Sequence, residues 1–323
     1  MDSHKAELAY EFLPYLRAYT DGRIERLLGT EIVPPGFDPK TKVTSKDILI
    51  LPDINVSARL YLPKIAKKKL PVLVYYHGGA FCLYSSSASI YHNFLNALVS
   101  NANVIAVSVN FRLAPERPLP IAYEDSWAAL QWVASHYEGQ GSETWLTEFV
   151  DFNRLFLAGD SSGANIAHNM AMLAGNPKAG FNVRIAGLAL VQPYFWGFKA
   201  VGSEASNPLK KTVDRIWPLV SLSAPNKDDP RINPVGADAP SLSGLGCKRV
   251  LVCVAEKDIF RDRGWLYCET LRKCGWTGVV EYIESKGENH EFHLHYPGCQ
   301  NAKDLIEYLA VFLNLESHPL SCL

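Results

Sequence analysis

Short runs of apolar, β-branched residues recur along this chain and alternate with longer segments of helical spacing. The predicted strands are 72–76, 104–109, 155–157, 185–191 and 250–254, and the predicted helices are 91–99, 125–134, 164–173 and 263–271. Strands that are apolar along their whole length are buried on both faces, as parallel strands covered by helices are. The pattern therefore predicts an α/β fold with a mostly parallel central sheet covered by helices on both faces. Segments 45–51 and 56–62 predict an antiparallel hairpin at one sheet edge.

Two segments break this alternation and predict a cap over a substrate site. No repeat or low-complexity linker divides the chain, so 1–323 is interpreted as one domain with cap elements at about 1–39 and 194–225. The first contains an amphipathic stretch at 8–19, and the second is rich in aromatic residues. We expect aromatic side chains to contact the substrate, with packing in the hydrophobic core as the alternative. The candidates are Phe81, Phe195, Trp196, Phe198 and Trp217.

The sequence Gly-Asp-Ser-Ser-Gly at 159–163 lies directly between a predicted strand and a predicted helix. A serine in such a G-x-S-x-G turn is held on a strained strand-to-helix connection, with its hydroxyl at the carboxyl end of the sheet. Glycines flank the serine because side chains would collide where the strand and the helix come close. Ser161 is therefore the predicted nucleophile.

A second glycine-containing turn, His-Gly-Gly-Ala-Phe at 77–81, follows the strand predicted at 72–76. Glycines let the main chain approach a reacting carbonyl, and its N–H groups can then stabilise the oxyanion that forms during acyl transfer. We expect Gly78 and Gly79 to supply two of these donors. Ser162, one residue past the nucleophile, is expected to supply the third.

A neutral serine hydroxyl is a weak nucleophile, so it needs a base to take its proton and a third group to orient that base. Asp258 follows the strand predicted at 250–254, and its carboxylate would lie at the carboxyl end of the sheet. We predict Asp258 as the orienting acid. Asp262 and Glu256 are the competing carboxylates.

The predicted base is His290, which comes first in a loop after a strand predicted at 279–283. His293 and His295 lie close by and are the competing histidines. We favour His290 because the other two are expected to begin the next structured segment.

Composition and missing motifs argue against several other classes of protein. The net charge of −1, without long runs of like charge, predicts no nucleic-acid partner. Zinc-protease, P-loop and dinucleotide-binding motifs are absent from the sequence, so neither a metal nor a cofactor is expected. There is no apolar run long enough to span a bilayer and no signal-peptide pattern. With seven scattered cysteines and no C-x-x-C pair, a cytoplasmic location is expected, and the oligomeric state stays open.

Several phrases of the sequence resemble plant carboxylesterases of the hormone-sensitive-lipase type, over nearly the whole chain. They are Asp-Gly-Arg-Ile-Glu-Arg-Leu at 21–27, the turn at 77–81, Phe-Arg-Leu-Ala-Pro-Glu at 111–116, the serine turn at 159–163, and Lys-Asp at 257–258 followed by Arg-Asp-Arg at 261–263. The resemblance implies the α/β-hydrolase fold. It places the family's catalytic triad on Ser161, Asp258 and His290, and its oxyanion donors on Gly78, Gly79 and Ser162.

The same family includes proteins with other activities, so the resemblance alone does not fix the reaction. Gibberellin receptors of this group lack the catalytic histidine, which argues against a receptor because His290 is present. Legume 2-hydroxyisoflavanone dehydratases share the alanine at Ala80, where many esterases have a third glycine. Some of them carry threonine at the nucleophile position, so Ser161 favours hydrolysis.

The expected function is hydrolysis of small-molecule carboxylic esters through a covalent acyl-enzyme. The alternative is a dehydratase-like lyase or a cyclase of specialised metabolism that uses the same site without an acyl-enzyme. A small-molecule receptor is the third hypothesis.

Overall fold

The computed structural model describes residues 6–64, 68–221 and 228–315 and is built around an eight-stranded sheet. The strands are β1 (Leu8–Phe12), β2 (Leu16–Tyr19), β3 (Ile24–Arg26), β4 (Thr44–Leu51), β5 (Val56–Leu62), β6 (Leu70–Tyr76), β7 (Ile105–Asn110), β8 (Val150–Asp160), β9 (Ile185–Val191), β10 (Arg249–Ala255) and β11 (Val279–Ser285). Within the described ranges, the central sheet has the order β11-β10-β9-β8-β6-β7-β5-β4. Strands β6 to β11 are parallel, and β4 and β5 form the predicted antiparallel edge hairpin.

Helices cover both faces of this sheet. The helices of the described ranges are α1 (Ser89–Ala102), α2 (Ile121–Ala134), α3 (Thr144–Phe149), α4 (Ser162–Ala174), α5 (Lys210–Val213), α6 (Ile216–Val220), α7 (Arg261–Lys273), α8 (Phe292–His295) and α9 (Gln300–Asn314), of which α5 and α6 lie in the segment after β9. Side chains alternate along a strand, and in β6 Val72 and Val74 belong to the apolar cluster that includes α2, α4 and α7. Leu73 and Tyr75 belong to the opposite cluster, with α1 and α9. The predicted α/β fold is confirmed.

The parallel strands bring distant parts of the chain to one edge of the sheet. Their carboxyl ends all face the same way, so the residues that follow β6, β8, β10 and β11 gather there. These residues are the turn at 77–81, Ser161, Asp258 and His290. The topology thus accounts for a site built from segments far apart in sequence.

The N-terminal segment forms a separate three-stranded antiparallel sheet of β1, β2 and β3. Phe12 and Leu16 are buried in the same apolar cluster as the helices α2, α4 and α7. Arg26 of β3 bonds both carboxylate oxygens of Glu116 at 2.7 Å and donates from Nε to the carbonyl of Cys82 at 2.7 Å. The segment is therefore attached next to the turn at 77–81. Residues 1–5 of the predicted first cap element lie outside the described residues.

The insertion that follows β9 is anchored by a buried ion pair. Arg263 Nε of α7 lies 2.6 Å from Glu204 Oε1, and the two side chains are 3% and 0% exposed. Arg263 also donates to the carbonyl of Lys199 at 2.8 Å, and Glu204 accepts the backbone N–H of Val201 at 2.8 Å. Each charge needs the other because burial removes both from water. Residues 222–225 of the predicted second cap element lie outside the described residues.

Removing one partner of this pair is expected to destabilise the protein strongly. Arg263→Met should lower the free energy of unfolding by about 3–5 kcal/mol, because Glu204 would keep a buried charge without a partner. The double variant that combines Arg263→Met with Glu204→Gln is expected to recover much of that loss, since no buried charge is left. Urea unfolding followed by circular dichroism measures both.

The control for this comparison is Arg272→Met, which removes an ion pair with Glu269 on the solvent side of the same helix. That variant should unfold at nearly the wild-type urea concentration. Wild-type stability of Arg263→Met would contradict the role of the Arg263–Glu204 pair as an anchor.

Candidate active site

Ser161 lies at the sharp connection between β8 and α4, in an unusual backbone conformation. Its φ is 50° and its ψ is −119°. The backbone N–H of Ser161 donates to the carbonyl of Val191 at 2.9 Å, and the Ser161 carbonyl accepts the N–H of Tyr194 at 2.9 Å. A non-glycine residue in this region costs energy and persists only where its surroundings hold it. The hydrogen bonds with Val191, at the end of β9, and with Tyr194 keep Ser161 in this conformation.

The glycines on either side of the serine allow two backbone segments to touch. A Cβ atom on Gly163 would overlap the carbonyl oxygen of Tyr76 and lie 2.6 Å from that of His77. A Cβ atom on Gly159 would overlap the backbone of Gly163 and lie 2.6 Å from the Tyr76 oxygen. The serine turn and the end of β6 are therefore in direct main-chain contact, as the G-x-S-x-G spacing suggested.

A continuous line of hydrogen bonds joins Ser161, His290 and Asp258. The Nε2 atom of His290 lies 2.9 Å from Ser161 Oγ, and its Nδ1 atom lies 2.7 Å from Asp258 Oδ2. The second oxygen of Asp258 accepts the backbone N–H of Phe260 at 3.0 Å, and the Phe260 ring packs against the imidazole. Asp258 is buried, so its charge acts on the ring through a poorly screened environment. The ring is thus held at both nitrogens.

The carboxylates around His290 shift its proton equilibrium. Burial alone would lower the pKa of His290, but Asp258 and then Glu291 outweigh burial and raise that pKa to about 9. The imidazole is therefore a stronger base than a free histidine.

None of the competing residues bonds Ser161 or His290 among the described residues. Asp262 bonds Arg261 and Ser203, while Glu256 bonds the backbone of Gly287 and Lys286. His293 is buried against Phe94, and neither of its ring nitrogens has a partner among the described residues. His295 is 47% exposed and lies 3.8 Å from Glu291. The geometry thus separates these four residues from Ser161.

The structure corrects the assignment of Gly78 as an oxyanion donor. Its N–H already donates to the hydroxyl of Tyr91 at 2.8 Å and to Asp160 Oδ1 at 3.2 Å. Asp160 is fully buried and also accepts hydrogen bonds from the hydroxyls of Tyr75 and Tyr91, each at 2.7 Å. The Gly78 N–H is therefore part of a buried network beneath the turn and does not face a substrate.

The next residues of the turn differ from Gly78 in what their N–H groups bind. Gly79, Ala80 and Phe81 all have positive φ, at 97°, 54° and 60°. Among the described residues no acceptor binds the N–H of Gly79 or Ala80, whereas Phe81 donates to Ser162 Oγ at 3.2 Å. Ser162 begins α4, so its N–H has no acceptor within the helix. The available donors are Gly79, Ala80 and Ser162, and no pattern in the sequence indicated Ala80.

The predicted aromatic substrate contacts are also corrected. Phe198 is 76% exposed on the surface, and the other four side chains are each at most 2% exposed. Phe81 packs edge-on against Trp217, Phe195 packs on His168, and Trp196 packs on Phe260, the residue that contacts His290. Core packing, the alternative interpretation, therefore describes Phe81, Phe195, Trp196 and Trp217. In an irregular insertion no periodicity indicates which ring points inward.

Comparison with known proteins agrees with this geometry. A sequence model of the family described as "alpha/beta hydrolase fold" matches residues 73–294. "Probable carboxylesterase 2" of Arabidopsis thaliana is 46% identical to this chain, over 97% of it and 99% of the relative. A "2-hydroxyisoflavanone dehydratase" of Glycyrrhiza echinata is 47% identical, over 95% of this chain and 96% of the relative.

Solved structures show the same architecture. An esterase of Pyrobaculum calidifontis matches with a TM-score of 0.70 at 28% identity, over 83% of this chain and 84% of the esterase. A thermostable carboxylesterase cloned from a metagenomic library matches with a TM-score of 0.72 at 26% identity, over 87% and 90%. The fold, the hydrogen-bonded serine and the extent of these matches lead to one conclusion: this chain belongs to the α/β-hydrolase family, together with plant carboxylesterases and 2-hydroxyisoflavanone dehydratases.

Proposed function

We propose that this protein is a carboxylesterase that hydrolyses small-molecule carboxylic esters, with Ser161 as nucleophile, His290 as general base and Asp258 as orienting acid. The observation that carries the proposal is the hydrogen-bonded line from Ser161 Oγ through both nitrogens of His290 to Asp258. A serine hydroxyl needs such a base within hydrogen-bond reach, and the base needs a fixed tautomer. The carboxylesterase relatives support the same reaction.

In the first half of the reaction, Ser161 Oγ attacks the ester carbonyl while His290 Nε2 takes its proton. Asp258, bonded to Nδ1, stabilises the imidazolium that forms. The proton then passes from Nε2 to the oxygen of the departing alcohol, and the acyl group stays on Ser161. In the second half, a water oxygen attacks the acyl carbon while His290 Nε2 takes a proton from that water. The bond between the acyl carbon and Ser161 Oγ then breaks, the carboxylic acid leaves, and Ser161 Oγ takes the proton back from Nε2.

We assign the oxyanion hole to the N–H groups of Gly79, Ala80 and Ser162. Each is a backbone donor, and the bond from Phe81 to Ser162 Oγ ties the turn at 77–81 to the serine turn. Donors that are fixed before the substrate arrives need no reorganisation when charge develops on the carbonyl oxygen. Three such donors therefore favour acyl transfer.

A dehydratase reaction is the second candidate, because a 2-hydroxyisoflavanone dehydratase is as similar to this chain as the carboxylesterases are. In that reaction His290 would remove a carbon-bound proton while the N–H groups polarise a carbonyl. Ser161 would then only help to position the substrate. The presence of a serine with a hydrogen-bonded base favours hydrolysis as the main activity.

Replacing the nucleophile distinguishes the two candidates. Ser161→Ala is expected to lower kcat for p-nitrophenyl acetate by roughly 10⁴- to 10⁶-fold, because no acyl-enzyme can form. Wild-type protein treated with an organophosphate should gain a label on Ser161, which mass spectrometry detects. Product analysis with a 2-hydroxyisoflavanone measures elimination in both proteins. An unlabelled wild type without ester turnover would rule out the esterase.

Two opposite substitutions in the same turn test the oxyanion donors. Gly79→Ala places a Cβ atom 2.7 Å from the carbonyl oxygen of Leu83 at a φ of 97°, so the turn must move. We expect kcat to fall about 10²-fold with little change in KM. Ala80→Gly removes a side chain from a left-handed position and keeps the N–H group, so kcat should change little.

Steady-state kinetics with one ester measures both variants of the turn. If Gly79→Ala and Ala80→Gly lowered kcat equally, any change in the turn would be harmful, and the result would not support a specific role of the N–H groups. A normal kcat in Gly79→Ala would remove Gly79 from the oxyanion hole.

We further propose a cytoplasmic location. All six cysteines within the described residues are free thiols, as is usual in a reducing compartment. In the part of the chain that the structure describes, no helix is long and apolar enough to span a membrane. One similar carboxylesterase of Arabidopsis thaliana is named as mitochondrial, so cell fractionation is the appropriate test.

A further inference from the structure

A carboxylate that the esterase mechanism does not use lies beside the catalytic base. The Oε1 atom of Glu291 is 3.9 Å from Nε2 of His290, the nitrogen that bonds Ser161 Oγ. The Glu291 side chain is 12% exposed, so water screens its charge only in part. Asp258 occupies the other ring nitrogen. The imidazole thus has one carboxylate near each of its nitrogens.

The backbone holds Glu291 at this place. Its φ is 55°, and its N–H donates to Oε1 of Gln192 at 2.6 Å. Gln192, the residue after β9, is buried and also has a positive φ of 47°. Two non-glycine residues in left-handed conformations carry strain, and such strain occurs where the surrounding structure specifies a position. The placement of the Glu291 carboxylate is therefore a built feature of the site.

We propose that Glu291 is a positioning residue that acts through His290: its carboxylate stabilises the imidazolium formed when Ser161 loses its proton, and so sets the pH range of turnover. The inference rests on the proposed esterase function. The proton still moves from Ser161 Oγ to Nε2 and on to the leaving alcohol, and Glu291 accepts none. Asp258 orients the ring, while Glu291 favours the positive charge at the nitrogen where the proton arrives.

Glu291 is part of a wider group of titratable side chains around the ring. Burial opposes the ionisation of Glu291, but His295 and His290 outweigh burial and lower its pKa. Burial and the charge of Glu291 raise the pKa of Asp160. Among the described residues, the other titratable groups that interact electrostatically with His290 or Glu291 are Asp258 after β10, Asp160 of β8, Tyr75 of β6, His77 directly after β6, Tyr91 of α1, His293 and His295 of α8, Tyr84 after the turn at 77–81, and Tyr15 of the N-terminal segment.

The sign of the pH effect follows from the charge. A general base works only when it is neutral, so kcat/KM rises with pH through the pKa of His290. A neighbouring anion stabilises the protonated ring and moves this rise to higher pH. Removing the anion must therefore move the rise to lower pH. A purely structural role of Glu291 would lower activity at every pH without moving the rise.

The test is the pH profile of kcat/KM for an uncharged p-nitrophenyl ester, measured on the full-length wild type and on Glu291→Gln. We expect the acidic limb of the profile to move down by roughly one pH unit in the variant, as loss of a charge about 4 Å away implies. The plateau at high pH should fall, because the imidazolium loses stabilisation. The matched control is Glu288→Gln, in the same loop, whose carboxylate bonds Asn301 at 2.7 Å. Its profile should keep the wild-type position.

A second measurement does not depend on turnover. NMR titration of the His290 ring should show the same downward shift of its pKa in Glu291→Gln, even if the protein hydrolysed no ester, so failure of the esterase proposal and of this one are separable. Glu291→Asp keeps the charge but retracts it by one methylene, and should give a profile between the two. If Glu291→Gln does not fold, Glu291→Asp provides the same test with a smaller expected shift.

Two results would overturn the proposal. In the first, the acidic limb and the NMR titration of His290 stay at the wild-type pH in Glu291→Gln. In the second, Glu291→Gln lowers kcat/KM selectively for a cationic choline ester at every pH. That selectivity would make Glu291 a contact for the substrate rather than for His290.

Discussion

The first turn of α4 and the carboxyl end of β6 touch through their main chains, and the geometry of the site depends on this contact. Any side chain at Gly163 would overlap the carbonyl oxygen of Tyr76. The contact fixes the distance between the serine turn and the turn at 77–81, because each begins at one of the two touching segments. It also helps to hold Ser161 at a φ of 50°, a conformation that an isolated strand-to-helix connection would not keep.

The remaining groups are delivered by neighbouring parts of one sheet edge. Asp258 follows β10 and His290 follows β11, and both strands are paired in parallel over seven residues. Side chains carried at the ends of packed strands have little freedom to lose when a substrate binds. The bonds to Asp258 and Ser161 then fix the imidazole before any chemistry begins. The site is thus preorganised by the fold, and the buried charges around His290 adjust its basicity.

Residues that directly follow strands could be predicted from the sequence, because strand ends are visible as apolar runs. Ser161, Asp258 and His290 each follow such a run, and the structure brings them within hydrogen-bonding distance. Contacts between separate elements could not be predicted. The N–H of Gly78 is taken by Tyr91, which reaches it only because α1 packs on that face of the sheet. The sequence also could not show that Phe198 points to solvent, because an irregular segment has no periodicity that distinguishes buried from exposed positions.

The Arg263–Glu204 pair has a consequence for how proteins of this architecture can diverge. It fastens the insertion after β9 to α7, the helix that begins three residues after Asp258. The segments on either side of this anchor can become longer at small entropic cost, because the entropy of closing a loop grows only slowly with its length. Insertions and substitutions in this segment can therefore change its shape while Asp258, the proposed orienting acid, keeps its position after β10. Evolution of substrate preference is in this sense decoupled from the evolution of the reaction.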